Sequence, residues 1–198
     1  MIIGKLIFIR SQFPIALLHM ILLFKLLIRT TNKIRWNSVL QIHLRLKKDW
    51  MWHLSNIKKN NPQHFEQIPP QATFTTDASR RGWGATLQFN YSNNLLKTAG
   101  KWSSKWILKS SNQRELAAVL YRLRRYENQF KERKILSLHL RTDNTTTSYN
   151  INRANSSITL AHLTDLTLRV AEKMNIQIKA TYIPGEESQI ANTLSRLN

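Results

Sequence analysis

The stretch TFTTDASRRGWG, residues 73–84, decides the fold of this 198-residue chain. Its threonines and phenylalanine form a short strand pattern that ends at a single carboxylate, Asp77. The chain then passes two small residues and the basic pair Arg80 and Arg81, and Gly-Trp-Gly opens a second alternating strand. A lone acid at the end of a buried strand, next to glycines and arginines, is a place where a metal ion and a phosphate group could meet.

The chain is strongly basic, since 30 lysine and arginine residues stand against 11 acidic ones and give a formal net charge of +19. Residues 1–66 carry 11 basic and 2 acidic side chains, and residues 67–198 carry 19 and 9. Such a surplus favours a polyanionic partner, either nucleic acid or an anionic membrane surface. The 42% of apolar residues can form a core, and without cysteine any metal ion would be bound by oxygen or imidazole. The lack of cysteine is compatible with an intracellular location in the cytoplasm or nucleus.

The N-terminal part, residues 1–66, is predicted to be a small helical fragment. Its apolar run FPIALLHMILLF, residues 13–24, lies in an uncharged window of 14 residues between Arg10 and Lys25. A membrane span needs about 18 or more apolar residues. We therefore expect a buried helix and no stable membrane insertion, and a membrane-associated basic protein is the weaker alternative.

A second helix is predicted at residues 37–56, where Ile42 and Leu46 belong to an apolar stripe with three- and four-residue steps. Prolines around the end of this fragment indicate a linker, which we place at residues 67–72. The sequence thus predicts a helical fragment, a linker and a second domain at residues 73–198.

The second domain follows the order strand, strand, strand, helix, strand, helix, helix, strand, helix. The predicted strands show period-2 alternation of apolar and polar residues, and they cover residues 73–77, 82–90, 95–102, 135–142 and 176–182. The clearest helices have apolar residues at helical spacing, and they cover residues 112–129, 157–173 and 186–196. In the first of these, Arg122 is placed with Arg124 and Arg125 around the apolar stripe. Hairpins followed by crossover connections indicate an α/β fold with a mixed sheet and helices packed on it.

Three carboxylates stand where the ends of these elements would gather. Asp77 ends the first strand, Asp143 ends the fourth, and Glu115 lies in the first turn of the main helix. If the first and fourth strands are neighbours, these acids come within reach of one Mg²⁺ ion, and a second ion nearby would help to clamp a displacement at phosphorus. Each acid also has a purely structural interpretation. Asn112 and Glu115 fit a capping box, Asp143 with Asn144 fits a turn or helix cap, and Asp77 fits a turn opener.

Several short motifs follow one another in this domain: T-D-A-S at 76–79, G-W-G-A at 82–85, W-S at 102–103, E-L-A-A-V at 115–119, T-D-N at 142–144, I-P-G at 183–185 and A-N-T-L-S-R at 191–196. In this order they resemble the ribonuclease H domain of retroelement reverse transcriptases, in particular those of DIRS-like and Gypsy-like retrotransposons and plant pararetroviruses. The similarity covers about residues 73–197. The leading segment is similar to the thumb and connection that precede this domain in DIRS-like polymerases.

The resemblance implies a ribonuclease H-like fold with a mixed five-stranded sheet, and a metal-dependent endoribonuclease that cleaves the RNA strand of RNA–DNA hybrids. It implies two Mg²⁺ ions, with Mn²⁺ as a substitute. Asp77 would bridge both ions, and Glu115 and Asp143 would hold the ion on the leaving-group side. Asn192 would be a weak ligand of the ion that activates water. Substrate contacts would come from Ser79, Arg80, Arg81, Asn112, Gln113, Asn144, Thr145 and Tyr182.

The sequence departs from this family pattern at three places. It contains no Tyr/Phe-x-Asp-Asp polymerase motif, so it resembles the tail of a reverse transcriptase, and the other polymerase lobes are expected partners. Tyr182 stands where the family has a histidine. Asn192 stands where the family has an aspartate, and a neutral amide oxygen binds Mg²⁺ more weakly than a carboxylate does. We therefore expect weakened activity. The alternative is a catalytically impaired nucleic-acid-binding module, a degenerate or domesticated remnant of a retroelement.

Overall fold

The computed structural model describes residues 2–9, 16–33, 42–59 and 68–196 of the chain. The chain divides into two compact units, Met1–Glu66 and Gln67–Asn198. The described residues of the first unit form three helices: α1 (Ile2–Ile9), α2 (Ala16–Lys33) and α3 (Leu44–Lys59). Within the described ranges, no helix combines the length and the apolar character needed to cross a membrane.

The contact between α2 and α3 buries polar as well as apolar side chains. Met20 and Leu46 are buried there, as the apolar patterns predict, but so are His19, Asp49 and His53. The His19 Nδ1 atom lies 3.0 Å from Asp49 Oδ1, which gives the acid a hydrogen-bonded partner away from water.

The predicted second helix needs correction at its start. It begins at Leu44, and residues 37–41 of the predicted range, like residues 13–15 of the apolar run, lie outside the described residues. Ile42 is 68% exposed, although the pattern placed it on the buried stripe. The buried side of α3 is instead partly polar, because Asp49 and His53 occupy it.

The second unit is built on a sheet of five strands, which are β1 (Ala72–Ala78), β2 (Gly82–Phe89), β3 (Leu95–Lys101), β4 (Ser137–Thr142) and β5 (Gln177–Tyr182). Their order across the sheet is β3-β2-β1-β4-β5. The pairs β1–β2 and β2–β3 are antiparallel, and the pairs β1–β4 and β4–β5 are parallel. The predicted α/β fold with a mixed five-stranded sheet flanked by helices is therefore confirmed.

The helices of this unit are α4 (Ser111–Arg125), α5 (Glu127–Glu132), α6 (Thr145–Arg153), α7 (Ile158–Lys173) and α8 (Gln189–Arg196). One turn of 3₁₀ helix, Gly185–Ser188, precedes α8. The main core forms where fully buried residues of the sheet, such as Phe74 and Leu140, meet fully buried residues of α4, such as Leu116 and Leu120. This packing fixes the direction of α4 relative to the carboxyl end of β1.

Two predicted helices are interrupted in the structure. The predicted helix 112–129 breaks at Tyr126, because the Tyr126 ring packs edge-on against Phe74 and its hydroxyl lies 2.9 Å from Thr98 Oγ1. The predicted helix 186–196 is divided into the 3₁₀ turn and α8.

The position of Arg122 also differs from the prediction. The sequence placed it beside the apolar stripe together with two arginines that are exposed, but Arg122 is only 1% exposed. Its guanidinium lies 3.7 Å from the centroid of the Trp83 ring.

Candidate metal centre

The parallel pairing of β1 with β4 brings two carboxylates to the same edge of the sheet. Thr76 in β1 is the register partner of Thr142 in β4. Asp77 and Asp143 are therefore the next residues along two adjacent strands that run in the same direction. The carboxyl ends of such strands are a common location of ligand sites in α/β sheets.

Glu115 approaches this edge from α4. The helix is capped by Ser110, whose Oγ accepts a hydrogen bond from Gln113 N at 3.2 Å. The capping-box interpretation, with Asn112 as the cap, is therefore wrong. Glu115 is 4% exposed, and its Oε1 accepts a hydrogen bond from Ala78 N at 3.1 Å. This bond ties the first turns of α4 to the end of β1.

The three acids form one cluster. Asp77, Glu115 and Asp143 each offer a carboxylate oxygen, and these oxygens lie within 4.8 Å of one another. Asp77 and Glu115 are buried, and Asp143 is half-buried. The second oxygen of Glu115, Oε2, is buried and receives no hydrogen bond from any described residue. A buried carboxylate oxygen without a donor is costly unless a cation or another group compensates it.

The electrostatics of the cluster also favour a bound cation. Burial raises the pKa of Glu115 well above its usual value, and the charges of Asp77 and Asp143 raise it further. Burial also raises the pKa of Asp143, with a further contribution from Asp77. The ionised forms therefore repel one another in a poorly solvated place. A divalent cation between them would remove this repulsion.

The donor set fits a hard divalent cation. It consists of oxygen atoms only, and Mg²⁺ and Mn²⁺ prefer carboxylate and water oxygens. The unpartnered Oε2 of Glu115 supplies a ligand that the protein itself does not use. These three residues are thus able to hold at least one such ion.

Asn192 lies beside the cluster, but its amide is already engaged. Its Oδ1 accepts a hydrogen bond from Ser188 Oγ at 3.0 Å, and its Nδ2 donates to Gly185 O at 3.0 Å. A Cβ built on Gly185 would lie 3.7 Å from Asp143 Oδ2 and 3.8 Å from Asn192 Nδ2. Both polar atoms of the Asn192 amide therefore bond to the 3₁₀ turn, which brings this side chain to the same side of Gly185 as Asp143.

Ser195 is a member of the site that the sequence did not single out. The single hydrogen of its hydroxyl has two acceptors within reach, Asp77 Oδ2 and Asn192 O, the latter at 2.9 Å. Ser195 reaches Asp77 because α8 packs directly on the β2 backbone at Gly84, the register partner of Asp77. The A-N-T-L-S-R motif contained this serine, but no spacing rule connects residues 118 positions apart.

Part of the predicted substrate-contact set is used in internal hydrogen bonds. Asn144 Nδ2 donates to Asn112 Oδ1 at 2.8 Å, and Asn144 Oδ1 caps α6 by accepting from Thr147 N at 2.7 Å. The helix-cap interpretation thus holds for Asn144. Gln113 accepts from Lys109 N at 2.7 Å and donates to Thr159 O at 3.1 Å.

The other predicted contacts lie around the cluster. Ser79 Oγ accepts hydrogen bonds from the backbone N–H groups of Arg81 and Gly82, so the turn opens at Ser79, and the turn-opener interpretation of Asp77 is wrong. Arg80 and Arg81 are exposed, as is Thr145. Tyr182 is 48% exposed and is the last residue of β5, where it is the register partner of Thr142 at the end of β4.

No family model and no curated protein matches the chain. Solved structures do resemble it. The structure of LC11-RNase H1 in complex with RNA/DNA hybrid is similar at 14% identity with a TM-score of 0.53, covering 62% of this chain and 92% of that one. LC11-RNase H1 isolated from compost by a metagenomic approach is similar at 15% identity with a TM-score of 0.50, covering 63% and 92%. At these identities the likeness concerns the fold, and the second unit of this chain therefore has the ribonuclease H fold.

Proposed function

We propose that the chain is a metal-dependent endoribonuclease that cleaves the RNA strand of RNA–DNA hybrids. The observation that carries the proposal is the cluster of Asp77, Glu115 and Asp143, with its unpartnered Glu115 oxygen, at the carboxyl ends of β1 and β4. A bound Mg²⁺ ion would supply Lewis-acid stabilisation of charge at the scissile phosphate and a water of lowered pKa. The motif series of the sequence supports the same activity by resemblance.

The residues of the site have separate tasks in this proposal. Asp77, Glu115 and Asp143 hold the cation, and Ser195 orients Asp77 by donating to its Oδ2. The Ala78 N–H orients Glu115 in the same manner, so that its other oxygen is free to act as a ligand. Hydrolysis would leave 5′-phosphate and 3′-hydroxyl ends. Recognition of a hybrid would depend on groove shape and 2′-hydroxyl groups.

The activity is tested with a hybrid labelled on the RNA strand, incubated with the full chain in Mg²⁺ and, separately, in Mn²⁺. We expect RNA cleavage in at least one of the two, and loss of cleavage in the Asp77→Asn variant with an unchanged circular dichroism spectrum. Duplex DNA with the same sequence serves as the substrate control. Binding of the hybrid without cleavage in either metal would contradict the enzymatic proposal.

A second candidate is a module that binds nucleic acid without cutting it, and Asn192 is the observation that favours it. Its amide oxygen is neutral and already accepts a hydrogen bond from Ser188 Oγ, so it is a weaker ligand for a second ion than a carboxylate would be. The Asn192→Asp variant should raise the cleavage rate, because a carboxylate would add an anionic ligand beside Asp143. Thr193→Asp adds the same charge at an exposed neighbouring position and is the matched control. Equal rates for both variants would contradict the role of position 192.

We further propose a retroelement origin and the division into a helical fragment at 1–66 and a nuclease domain. The support is the motif series and the similarity of the leading segment to a polymerase thumb and connection. Genomic DNA that flanks the coding sequence should then encode a Tyr/Phe-x-Asp-Asp polymerase motif. Flanking DNA of unrelated coding content would count against this origin.

A further inference from the structure

Residues 78–114 contain no acidic side chain and form the most uniformly positive part of the second unit. The basic residues of this stretch are Arg80, Arg81, Lys97, Lys101, Lys105, Lys109 and Arg114. Three of the lysines recur every fourth residue from the last residue of β3 into the chain that leads to α4, and we name this segment, residues 101–109, the basic loop. This concentration of positive charge is local to one segment, and the overall excess of basic over acidic residues in the chain does not explain it.

Both ends of the basic loop are fixed beside the carboxylate cluster. Lys101 is the register partner of Gly82, and the Trp102 indole N–H donates to Ser79 O at 3.1 Å, two residues beyond Asp77. At the other end, Lys109 N donates to the side chain of Gln113, two residues before Glu115. The loop therefore borders the metal centre on the side of β2 and α4.

Aromatic contacts hold the middle of the loop in place. The rings of Trp102 and Trp106 lie 5.9 Å apart between centroids, and Trp106 lies 6.4 Å from Tyr121 of α4. Tyr121 in turn lies 5.2 Å from Trp83 of β2. The two tryptophans of the loop are half-buried against this series, whereas Lys101, Lys105 and Lys109 are exposed. None of the three forms an ion pair with a described residue.

We infer that the basic loop is a phosphate-binding surface for the backbone of the nucleic acid that occupies the metal centre. The inference rests on the proposed function and names residues that would hold the substrate beside the reacting phosphate. Lysines bind phosphate as point charges and release condensed counterions when they do so. A loop that is already fixed loses little conformational entropy on binding. Its position beside the carboxylate cluster favours nucleic acid over an acidic protein as the partner.

The test compares hybrid binding by the wild-type chain and by the triple variant Lys101→Gln, Lys105→Gln, Lys109→Gln. Fluorescence anisotropy is measured in EDTA between 50 and 200 mM salt, so that no cleavage intervenes. Three lost phosphate contacts should make the slope of log K against log salt shallower by about 2 to 3. The control replaces Lys131, Lys134 and Lys173 with glutamine; these lysines precede the starts of β4 and β5, whereas the carboxylates follow the ends of β1 and β4, and two of the three form ion pairs with Glu127. The control should keep the wild-type slope.

A second variant, Ser104→Glu, introduces a negative charge at an exposed position of the loop and should weaken binding at low salt without removing a lysine. An unchanged slope in the triple variant, an equal change in the control, or competition by an acidic peptide at equal charge concentration would overturn the inference. The two proposals fail separately. A shallower slope in the triple variant, without any cleavage by the wild-type chain, would support the phosphate-binding surface and contradict the nuclease proposal. Cleavage by the wild-type chain, with an unchanged slope in the triple variant, would support the nuclease proposal and contradict the phosphate-binding surface.

Discussion

Arg122 has the largest side chain among the fully buried described residues. Its guanidinium lies over the Trp83 ring, and burial lowers its pKa to about 10. The Nε and Nη2 atoms of Arg122 have no hydrogen-bond partner in the described part of the chain. The contact with the ring compensates some of the desolvation, but buried nitrogens without acceptors remain costly.

The Arg122→Met variant should therefore keep or raise the free energy of unfolding, by up to about 2 kcal/mol, because methionine fills a similar volume without a buried charge. Arg124→Met, at an exposed neighbouring position, should change it by less than about 0.5 kcal/mol. Urea unfolding followed by circular dichroism measures both. A loss of more than about 1 kcal/mol in Arg122→Met alone would mean that the arginine stabilises the core.

Glu115 leads to a prediction about the metal centre. Because its ionised form is buried beside two other acids, Glu115→Gln should raise the melting temperature of the metal-free chain at neutral pH. The same variant should lose most of the increase in melting temperature that Mg²⁺ or Mn²⁺ gives the wild-type chain. Glu132→Gln, at an exposed position on α5, is the control and should show neither effect. Equal stabilisation of wild type and Glu115→Gln by the metal would place the ion elsewhere.

Arg122 and Glu115 show which residue positions could be predicted from the sequence and which could not. Glu115 and Asp143 were found because acids are scarce and stand at the ends of elements. Arg122 was misplaced because it adjoins the apolar stripe of α4, and only the distant Trp83 makes its burial acceptable. Ser195 was not found for the same reason, since its contact with Asp77 depends on how α8 lies on the sheet.

At the scale of elements, the contact of α8 with β2 determines the geometry around Asp77. A Cβ at position 84 would lie 2.6 Å from Ser195 N and 2.7 Å from Leu194 Cβ, closer than real Cβ contacts allow. Gly84 is therefore needed for close approach of the helix backbone. Its substitution should displace the helix that carries Asn192 and Ser195.

The Gly84→Ala variant should lower the free energy of unfolding by about 1–3 kcal/mol through overpacking. It should also weaken metal binding, because the displaced Ser195 no longer orients Asp77. Gly185→Ala is the control for stability alone, since a Cβ there meets its neighbours at ordinary distances of 3.7 and 3.8 Å but one of these neighbours is Asp143 Oδ2. Thermal unfolding and titration with Mn²⁺ measure the two effects. Equal stability of both variants would show that α8 moves away at little cost.

The contact of α2 with α3 leads to a pH prediction. Burial and the nearby His19 lower the pKa of His53, against a weaker opposing effect of Asp49. A histidine whose pKa is lower in the folded state binds fewer protons there, so stability is lost as the pH falls below about 6.5. Hydrogen exchange in α3, corrected for its intrinsic pH dependence, should accelerate from pH 7 to pH 5.5. His53→Leu should reduce this acceleration, and an unchanged acceleration would contradict the prediction.

Most element boundaries could be predicted because alternation and helical spacing are local properties of the sequence. The strand at 82–90 and the helix at 157–173 differ from the observed β2 and α7 by one residue each. The break at Tyr126 could not be predicted, because it depends on contacts with Phe74 and Thr98 from other elements. Tertiary contacts override local propensity at such positions.

At the scale of the whole molecule, the second unit begins before its first strand. Gln71 Oε1 accepts hydrogen bonds from Leu136 N at 2.6 Å and from Ser137 N at 3.2 Å. Ser137 Oγ donates to Ile68 O at 2.9 Å. The segment that the sequence assigned to the linker is thus attached to the start of β4, beside the first residue of β1.

Two truncated chains test the importance of this attachment. Residues 67–198 have their own sheet and core, so this fragment should fold alone with one cooperative thermal transition. A fragment of residues 73–198 loses Ala72 from β1 and the acceptor for two backbone N–H groups at the start of β4, those of Leu136 and Ser137. It should be less stable by about 2–4 kcal/mol, because it loses both hydrogen bonds, one of them at the buried residue Ser137, together with the buried Ala72. The Gln71→Ala variant of the longer fragment separates the two causes and should account for about half of the loss. Equal stability of the two fragments would mean that the domain begins at residue 73.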